Sequence, residues 1–430
     1  MSDLFAARSQ MALSLGFHII FAEIGIAMPV LMVLAEWRWA RGGDAVYLQL
    51  AKRWAKGTAI LFAVGAVSGT VLSFELGLLW PRFMELAGPI IGIPFSLEGF
   101  AFFTEAIFLG VYLYGWDRIS RGAHIAAGVI VAVSGAASAV FVVMVNAWMN
   151  TPTGLVMSGN RVVGIDPVAG MLNPSTVQQA LHMLLAAYAA TGLAVAGIHA
   201  ALLLRRPAVP FHRAALATAL IVGAPAAVLQ PLSGDHSARV VAQWQPIKLA
   251  ALEGQFQTDT GAPLRIGGWP DERNARTRFA IEIPKGLSLL AFHDPNAEVR
   301  GLSAFPRDLW PPVPPVHFGF QIMVGLGTIM ALVSLWAILS IARRRDIAAN
   351  QPLLRALALV APFGFMATEA GWTVTEVGRQ PWAVQGVLRT ASAVTPMPGL
   401  IVPMLTFAIL YLGLGAIVVA LVAAMVRETA

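Results

Sequence analysis

The chain has 430 residues, a formal charge of +6, 57% hydrophobic residues and only 12% charged ones. Soluble domains carry about 25% charged residues, so most of this surface is built to face lipid. The basic excess lies in short loops between apolar runs and does not suggest nucleic acid. With no cysteine, disulfides, iron–sulfur clusters, blue copper and covalent c-type haem are excluded.

A membrane-crossing helix needs about 20 apolar residues. Nine such stretches are predicted: 11–36, 57–80, 89–115, 123–149, 177–204, 212–232, 316–342, 352–375 and 393–425. The expected fold is an all-α, polytopic membrane helix bundle. The first apolar run, Leu13 to Trp37, is too long for the core of a secretion signal and lacks a cleavage site behind it, so it reads as span 1. One long polar connection divides the chain into 1–232 (spans 1–6), 233–315 (the long loop) and 316–430 (spans 7–9). There is no convincing internal repeat.

Lys and Arg in short loops set orientation. The loops after spans 1, 3, 5 and 7 are rich in them, including Arg38, Arg41, Lys52, Arg53, Arg118, Arg121, Arg205, Arg206 and Arg343 to Arg345. The opposite side, apart from the long loop, has Arg8, Arg82, Arg161, Arg379 and Arg389. The N-terminus and the long loop are therefore expected outside and the C-terminus in the cytoplasm. The nine basic residues of the long loop do not alter this, because long loops translocate regardless of charge.

A charge inside a span costs at least about 2.5 kcal/mol and usually serves function. His18, Glu23, Glu75, Glu98, Glu105 and His182 lie within the predicted spans, and Glu376 lies at an outer span end. His18 is about two turns into span 1, His182 about one and a half turns into span 5, and Met323 about two turns into span 7. All three spans enter from outside, and span 8 delivers Glu376 to the same side. Four possible iron ligands on four helices thus share one depth. His and Met are the axial pair of many low-spin haems, while a lone axial His or Glu leaves an iron position open. Any one of these residues could be ordinary packing; their common depth points to haem.

In span 3, Glu98 and Glu105 are seven residues apart. That places them on one helix face, about 10 Å apart along the axis. With Asp117 at the inner end of the span, they read as a proton ladder leading from the cytoplasm to an outer-leaflet site.

The run Gly371-Trp372-Thr373-Val374-Thr375-Glu376-Val377-Gly378-Arg379-Gln380-Pro381-Trp382 resembles the G-W-x-x-x-E-x-G-R-Q-P-W signature of the cytochrome bd quinol oxidases, subunit I. Supporting segments are Arg8-Ser9-Gln10 with Phe17-His18, Glu98-Gly99 with Glu105, Gly115-Trp116-Asp117-Arg118, Asn146-Ala147-Trp148-Met149-Asn150, Phe320 to Gly325, and Lys248-Leu249-Ala250-Ala251-Leu252-Glu253 with Gly234-Asp235 upstream. The similarity covers nearly the whole chain.

The resemblance implies a haem-bearing subunit of an oxidase that takes electrons from quinol at the outer face. It would reduce dioxygen to water with cytoplasmic protons, building a membrane potential without pumping. It further implies His182 and Met323 as ligands of a low-spin haem b. His18 and Glu376 would serve a high-spin haem b and a haem d, or a further haem b. Lys248 and Glu253 would act in quinol oxidation, Glu98 and Glu105 in proton supply, and Arg379, Trp372 and Trp382 around the haems. Implied partners are a second large subunit, a small single-span subunit and membrane lipid, in the bacterial inner membrane. Gln321 stands where some members carry Arg, and the loop lacks the long insertion of others, which places the chain with the short-loop, cyanide-insensitive-like subgroup.

Three rivals make different demands. A proton-coupled transporter would use the intramembrane acids, but it usually shows repeats and broken helices. A haem-copper oxidase needs a copper-binding histidine cluster, whereas His124, His212, His293 and His317 are dispersed near span ends or in loops. A b-type electron-transfer subunit would need His182 and Met323 but neither His18 nor Glu376.

Overall fold

The computed structural model describes residues 2–158, 161–207 and 209–427. The side chains of Met157 and Arg161, and residues 428–430 at the end of the predicted 316–430 segment, lie outside the described residues.

Long apolar runs fold as helices because only a helix satisfies its own backbone groups in hydrocarbon. In chain order these are α1 (Asp3–Gly42), α2 (Ala45–Leu79), α3 (Pro81–Tyr114) and α4 (Arg121–Asn150). A hairpin of β1 (Leu155–Ser158) and β2 (Arg161–Ile165) and the short α5 (Pro167–Met171) lead into α6 (Thr176–Arg205) and α7 (Pro210–Trp244). Boundaries follow from local chemistry. Ser2 caps α1 by accepting the Phe5 amide, and Gly43 closes that helix at φ 72°, a conformation that suits glycine.

After α7 come α8 (Pro246–Leu252), then β3 (Asp259–Thr260), β4 (Leu264–Ile266), β5 (Trp269–Asp271), β6 (Arg276–Arg278) and β7 (Ile281–Ile283), then α9 (Gly286–Phe292) and β8 (Glu298–Val299). The strands pair antiparallel as β3–β8, β4–β7 and β5–β6. The chain returns through α10 (Val313–Ala342), α11 (Gln351–Val360) and α12 (Phe363–Val377). A small β9 (Trp382–Val384) and β10 (Leu388–Arg389) ladder and α13 (Thr390–Ala393) precede α14 (Ile401–Arg427).

Among the described residues, nine helical stretches are long and apolar enough to cross a membrane, with α11 and α12 together forming the eighth. They match the nine predicted stretches but not every boundary. The sixth continues twelve residues past 232 to Trp244, because Ser233, Gly234, Asp235 and His236 lower hydropathy without breaking a helix. The eighth is interrupted between Val360 and Phe363, at Ala361-Pro362, where proline removes a backbone donor. The ninth starts at Ile401, not 393, because Pro396, Pro398 and Gly399 keep the preceding segment out of a helix. Asp117 lies in the turn after α3, exposed.

The tightest packing surrounds α6. A Cβ added at Gly192 would meet the Gly223 Cα at 2.5 Å, one at Gly197 the Ala361 Cβ at 2.6 Å, and one at Gly364 the Ala190 Cα at 2.3 Å. Small residues let helix backbones touch where no hydrophobic force separates protein from lipid. The core between α6, α7, α10 and α11 is accordingly rich in alanine.

Candidate functional site

Each candidate histidine is held by a serine on the neighbouring helix. His18 of α1 has Nδ1 3.0 Å from Ser68 Oγ of α2. That hydroxyl also lies 3.0 Å from the Val64 carbonyl and 3.1 Å from that of Gly65. A hydroxyl has one proton to give, and here the α2 carbonyls take it. The serine must then accept from His18, so Nδ1 carries the ring proton and Nε2 keeps its lone pair. His182 of α6 repeats the arrangement: Nδ1 is 2.7 Å from Ser233 Oγ, which donates to the Gln230 carbonyl at 3.1 Å. The Gln230 amide nitrogen, a donor, faces His182 Nε2 at 3.1 Å, in agreement with a lone pair there.

Glycines clear space at two of the donors. A Cβ at Gly69 would come within 2.9 Å of His18 Cε1, and one at Gly371 within 3.0 Å of Met323 Sδ. Met323 of α10 therefore lies against α12, with Trp372 and Glu376 further along that helix.

Glu376 ends a chain of polar side chains. It accepts short hydrogen bonds from Asn146 Nδ2 and from Arg379, which is buried. Asn150 Nδ2 donates to the Asn146 carbonyl at 2.9 Å and to its Oδ1 at 3.1 Å. Lys248 Nζ donates to Asn150 Oδ1 at 2.5 Å. The lysine is thus wired to Glu376 through two asparagines. Burial pulls the Lys248 ammonium down to about 7; Arg379 adds to the fall and Glu376 opposes it.

Glu253, five residues later, is also buried, and one of its carboxyl oxygens has no hydrogen-bond partner. Burial pushes this carboxyl up to about 8, against the pull of Arg265. At about 100° per helical residue, Lys248 and Glu253 point to different faces of α8: the lysine toward α4 and α12, the glutamate toward Arg265. An open pocket beside the lysine is lined by residues including Trp244, Lys248, Phe305, Arg379, Gln380 and Trp382. Gln321 ties the intervening segment to α10, accepting the Gly267 amide at 2.9 Å and donating to the Arg265 carbonyl at 3.1 Å.

The two carboxylates of α3 both face α4. Glu98 accepts from Ser138 Oγ at 3.1 Å. Glu105 lies against Gly135, where a Cβ would come within 3.1 Å of its Oε1.

Glu369 of α12 is absent from the sequence-based candidates. It lies seven residues before Glu376, the same spacing as the α3 pair, and a search for acids in apolar runs reaches it. Its Oε1, and both carboxyl oxygens of the buried Glu23, have no hydrogen-bond partner.

Among the described residues, no group of three or more His, Cys, Asp or Glu could hold a bare metal ion. Haem makes no such demand, since the porphyrin supplies four nitrogens and the protein one or two axial donors. Imidazoles fixed with Nε2 as lone pair, and a thioether with a glycine opposite it, fit that requirement.

A bundle of membrane-length helices with half-buried imidazole, thioether and carboxyl donors defines a multi-pass membrane protein equipped for haem. The chain matches the family described as cytochrome bd terminal oxidase subunit I over residues 6–430. It is 39% identical to a putative cytochrome bd menaquinol oxidase subunit I of Bacillus subtilis, over 97% of this chain and 95% of the relative. It is 32% identical to the cytochrome bd ubiquinol oxidase subunit 1 of the same organism, over 97% and 92%. Its fold superposes on a bd oxidase from Geobacillus thermodenitrificans with a TM-score of 0.93 at 37% identity, covering 100% of this chain and 99% of that one. The chain belongs to the cytochrome bd terminal oxidase subunit I family. It is a quinol oxidase subunit of a bacterial respiratory chain, a haem protein, and one part of a multi-subunit complex.

Proposed function

We propose that this subunit oxidises quinol at the outer face and directs cytoplasmic protons to a dioxygen-reducing site, building a membrane potential without pumping. In this reading His182 and Met323 hold a low-spin haem b. His18 and Glu376 hold a high-spin haem b and a haem d or further haem b, with Trp372 and Arg379 beside them. When bound, the haems supply electron transfer and dioxygen reduction. The region 233–315 forms the extracytoplasmic quinol loop between the membrane segments 1–232 and 316–430. The N-terminus is outside and the C-terminus in the cytoplasm. A second large subunit, a small single-span subunit and lipid cover the outer faces of the bundle.

The chain's own residues handle the protons. The pocket between Trp244, Phe305 and Trp382 suits a flat aromatic ring. Glu253, with an unpartnered oxygen and an upward-shifted carboxyl, can take a proton from a quinol hydroxyl near neutral pH. Lys248, which donates to Asn150 Oδ1 and, at 3.4 Å, to the Thr375 carbonyl, can orient the head group and couples the pocket to Glu376. Glu105 passes protons outward to Glu98.

The observation that carries the reading is the pair of serine-locked imidazoles, each with Nε2 as its lone pair. The test is a reduced-minus-oxidised spectrum of the purified complex, with and without carbon monoxide. A low-spin band unmoved by carbon monoxide beside a band that moves is the expected result; a low-spin band alone would leave only an electron-transfer subunit.

A further inference from the structure

The mechanism above uses Glu98 and Glu105 but leaves unused a buried polar group below them. His124, in the first turn of α4, is 2% exposed, and Glu36, near the end of α1, is fully buried. His124 Nδ1 lies 2.8 Å from Glu36 Oε1, and His124 Nε2 lies 2.9 Å from the Tyr112 carbonyl.

The proton count of this pair follows from its partners. A carbonyl only accepts, so Nε2 must carry a hydrogen. Between Nδ1 and the carboxyl there must be a second one, because two lone pairs 2.8 Å apart would repel. Glu36 and His124 therefore share one labile proton beyond that on Nε2. It is written equally well as imidazolium with carboxylate or imidazole with carboxylic acid, and the pair is neutral overall. The Tyr112 hydroxyl faces Glu36, yet this hydroxyl and Glu36 Oε2 are both buried without a completed hydrogen bond.

Position gives the pair its meaning. Tyr112 is seven residues from Glu105, as Glu105 is from Glu98, so the three share one face of α3. The facing side of α4 keeps step. Ser138 meets Glu98, Gly135 meets Glu105, and Gly128 meets Tyr112, where a Cβ would come within 2.8 Å of the ring. One seam between α3 and α4 thus carries Glu98, Glu105, Tyr112 and then Glu36–His124. At the solvent end, the Trp116 ring covers His124 at 4.1 Å between centroids, Lys52 Nζ lies 5.2 Å above Trp116, and the exposed Asp117 follows.

We propose that Glu36 and His124 form a proton-holding pair at the inner end of the α3–α4 seam, and that the Tyr112 hydroxyl passes its proton toward Glu105. The inference rests on the proton route proposed above. The step is a proton relay: a proton leaves the pair toward Tyr112 as one arrives from the Asp117 side, with no electron moved. Steps of about 10 Å along the helix need water between the groups.

The test uses the whole oxidase complex in liposomes, comparing Glu36→Gln, Tyr112→Phe and Glu105→Gln. Haem content, the dithionite-reduced spectrum and proton uptake after oxygen is mixed with reduced enzyme are recorded in H2O and D2O. Glu36→Gln should keep its haems and slow proton uptake about a hundredfold or more, in the range of a lost general acid. Tyr112→Phe keeps the ring and should slow the same phase less, and Glu36→Asp should restore part of the rate. A purely structural pair would change thermal stability but not this phase or its isotope effect. If Glu36→Gln loses its haems, Tyr112→Phe decides alone. Wild-type uptake in Glu36→Gln and Tyr112→Phe, with slow uptake in Glu105→Gln, would overturn this inference and leave the route standing. Wild-type uptake in all three would overturn both.

Discussion

Two helix pairs in this molecule use glycine for opposite ends. Between α6 and α7, Gly192 and Gly223 bring backbone against backbone, and alanines seal the seam with apolar contacts. Between α3 and α4, Gly135 stands opposite the Glu105 carboxyl and Gly128 opposite Val33 and the Tyr112 ring, so the space they clear is filled by side chains, among them an acid and a phenol. The first seam fixes the position of α6, and with it His182. The second leaves a polar strip through the bundle. A stripe of small residues in a membrane helix thus tells where something approaches closely; the facing residue tells whether it is backbone or chemistry.

Substitutions in the two seams should therefore fail differently. Gly192→Val puts a branched side chain into the Gly223 backbone. We expect a cost of about 3 kcal/mol or more, seen as loss of assembled, haem-loaded complex in membranes. Gly135→Ala meets only the movable end of Glu105, so assembly and spectra should stay near normal while turnover falls. Equal loss of haem in both variants would erase the distinction.

Met323→Leu tests what the sealed seam positions. The leucine keeps the volume but removes the thioether, so the low-spin band should weaken or change its ligation and quinol oxidation should slow. Unchanged low-spin absorption would remove Met323 from the ligand set. Glu105→Gln tests the polar seam. Turnover with excess quinol should fall about a hundredfold or more, with haem content near normal and a smaller membrane potential in liposomes.

The smallest effect is expected outside both seams, at Glu253. Its carboxyl titrates at about 8 in the folded chain, against 4.5 ordinarily. Between those values the folded protein keeps a proton that the unfolded chain has lost, so this group lowers stability as pH rises through that window. The thermal midpoint of Glu253→Gln should gain on that of the parent between pH 5 and pH 8. A pH-independent difference would show that burial does not perturb this acid. Normal reduction by quinol in Glu253→Gln would separately remove it from the quinol step.

Much of this was legible in the chain itself. Apolar runs gave nine crossings, because hydrocarbon permits so few backbone solutions. The segment from Gly371 to Trp382 led to the family. Helix ends were less readable where hydropathy and helix formation part company, as at Ser233 to His236, which continue α7. The partners that set side-chain state were hidden. Ser68 and Ser233 look like ordinary small residues of apolar helices, and only the folded chain puts their hydroxyls against His18 and His182. Asn146 and Asn150 stood out as motif residues, but their link from Lys248 to Glu376 joins three separate stretches of sequence. The pairing of Glu36 with His124 spans 88 positions, beyond any local pattern.

The two serine hydroxyls bear on how the protein acquires its cofactors. Many metal sites must shed protons before they can bind, which makes loading depend on acidity. Here Ser68 and Ser233 already hold the ring proton of each histidine on Nδ1, leaving Nε2 as the lone pair, which in His182 accepts from the Gln230 amide. If the two rings are haem ligands, as proposed, a haem arriving at either would displace no proton from it. On the proposed reading, loading at these two positions would not depend on the acidity around them.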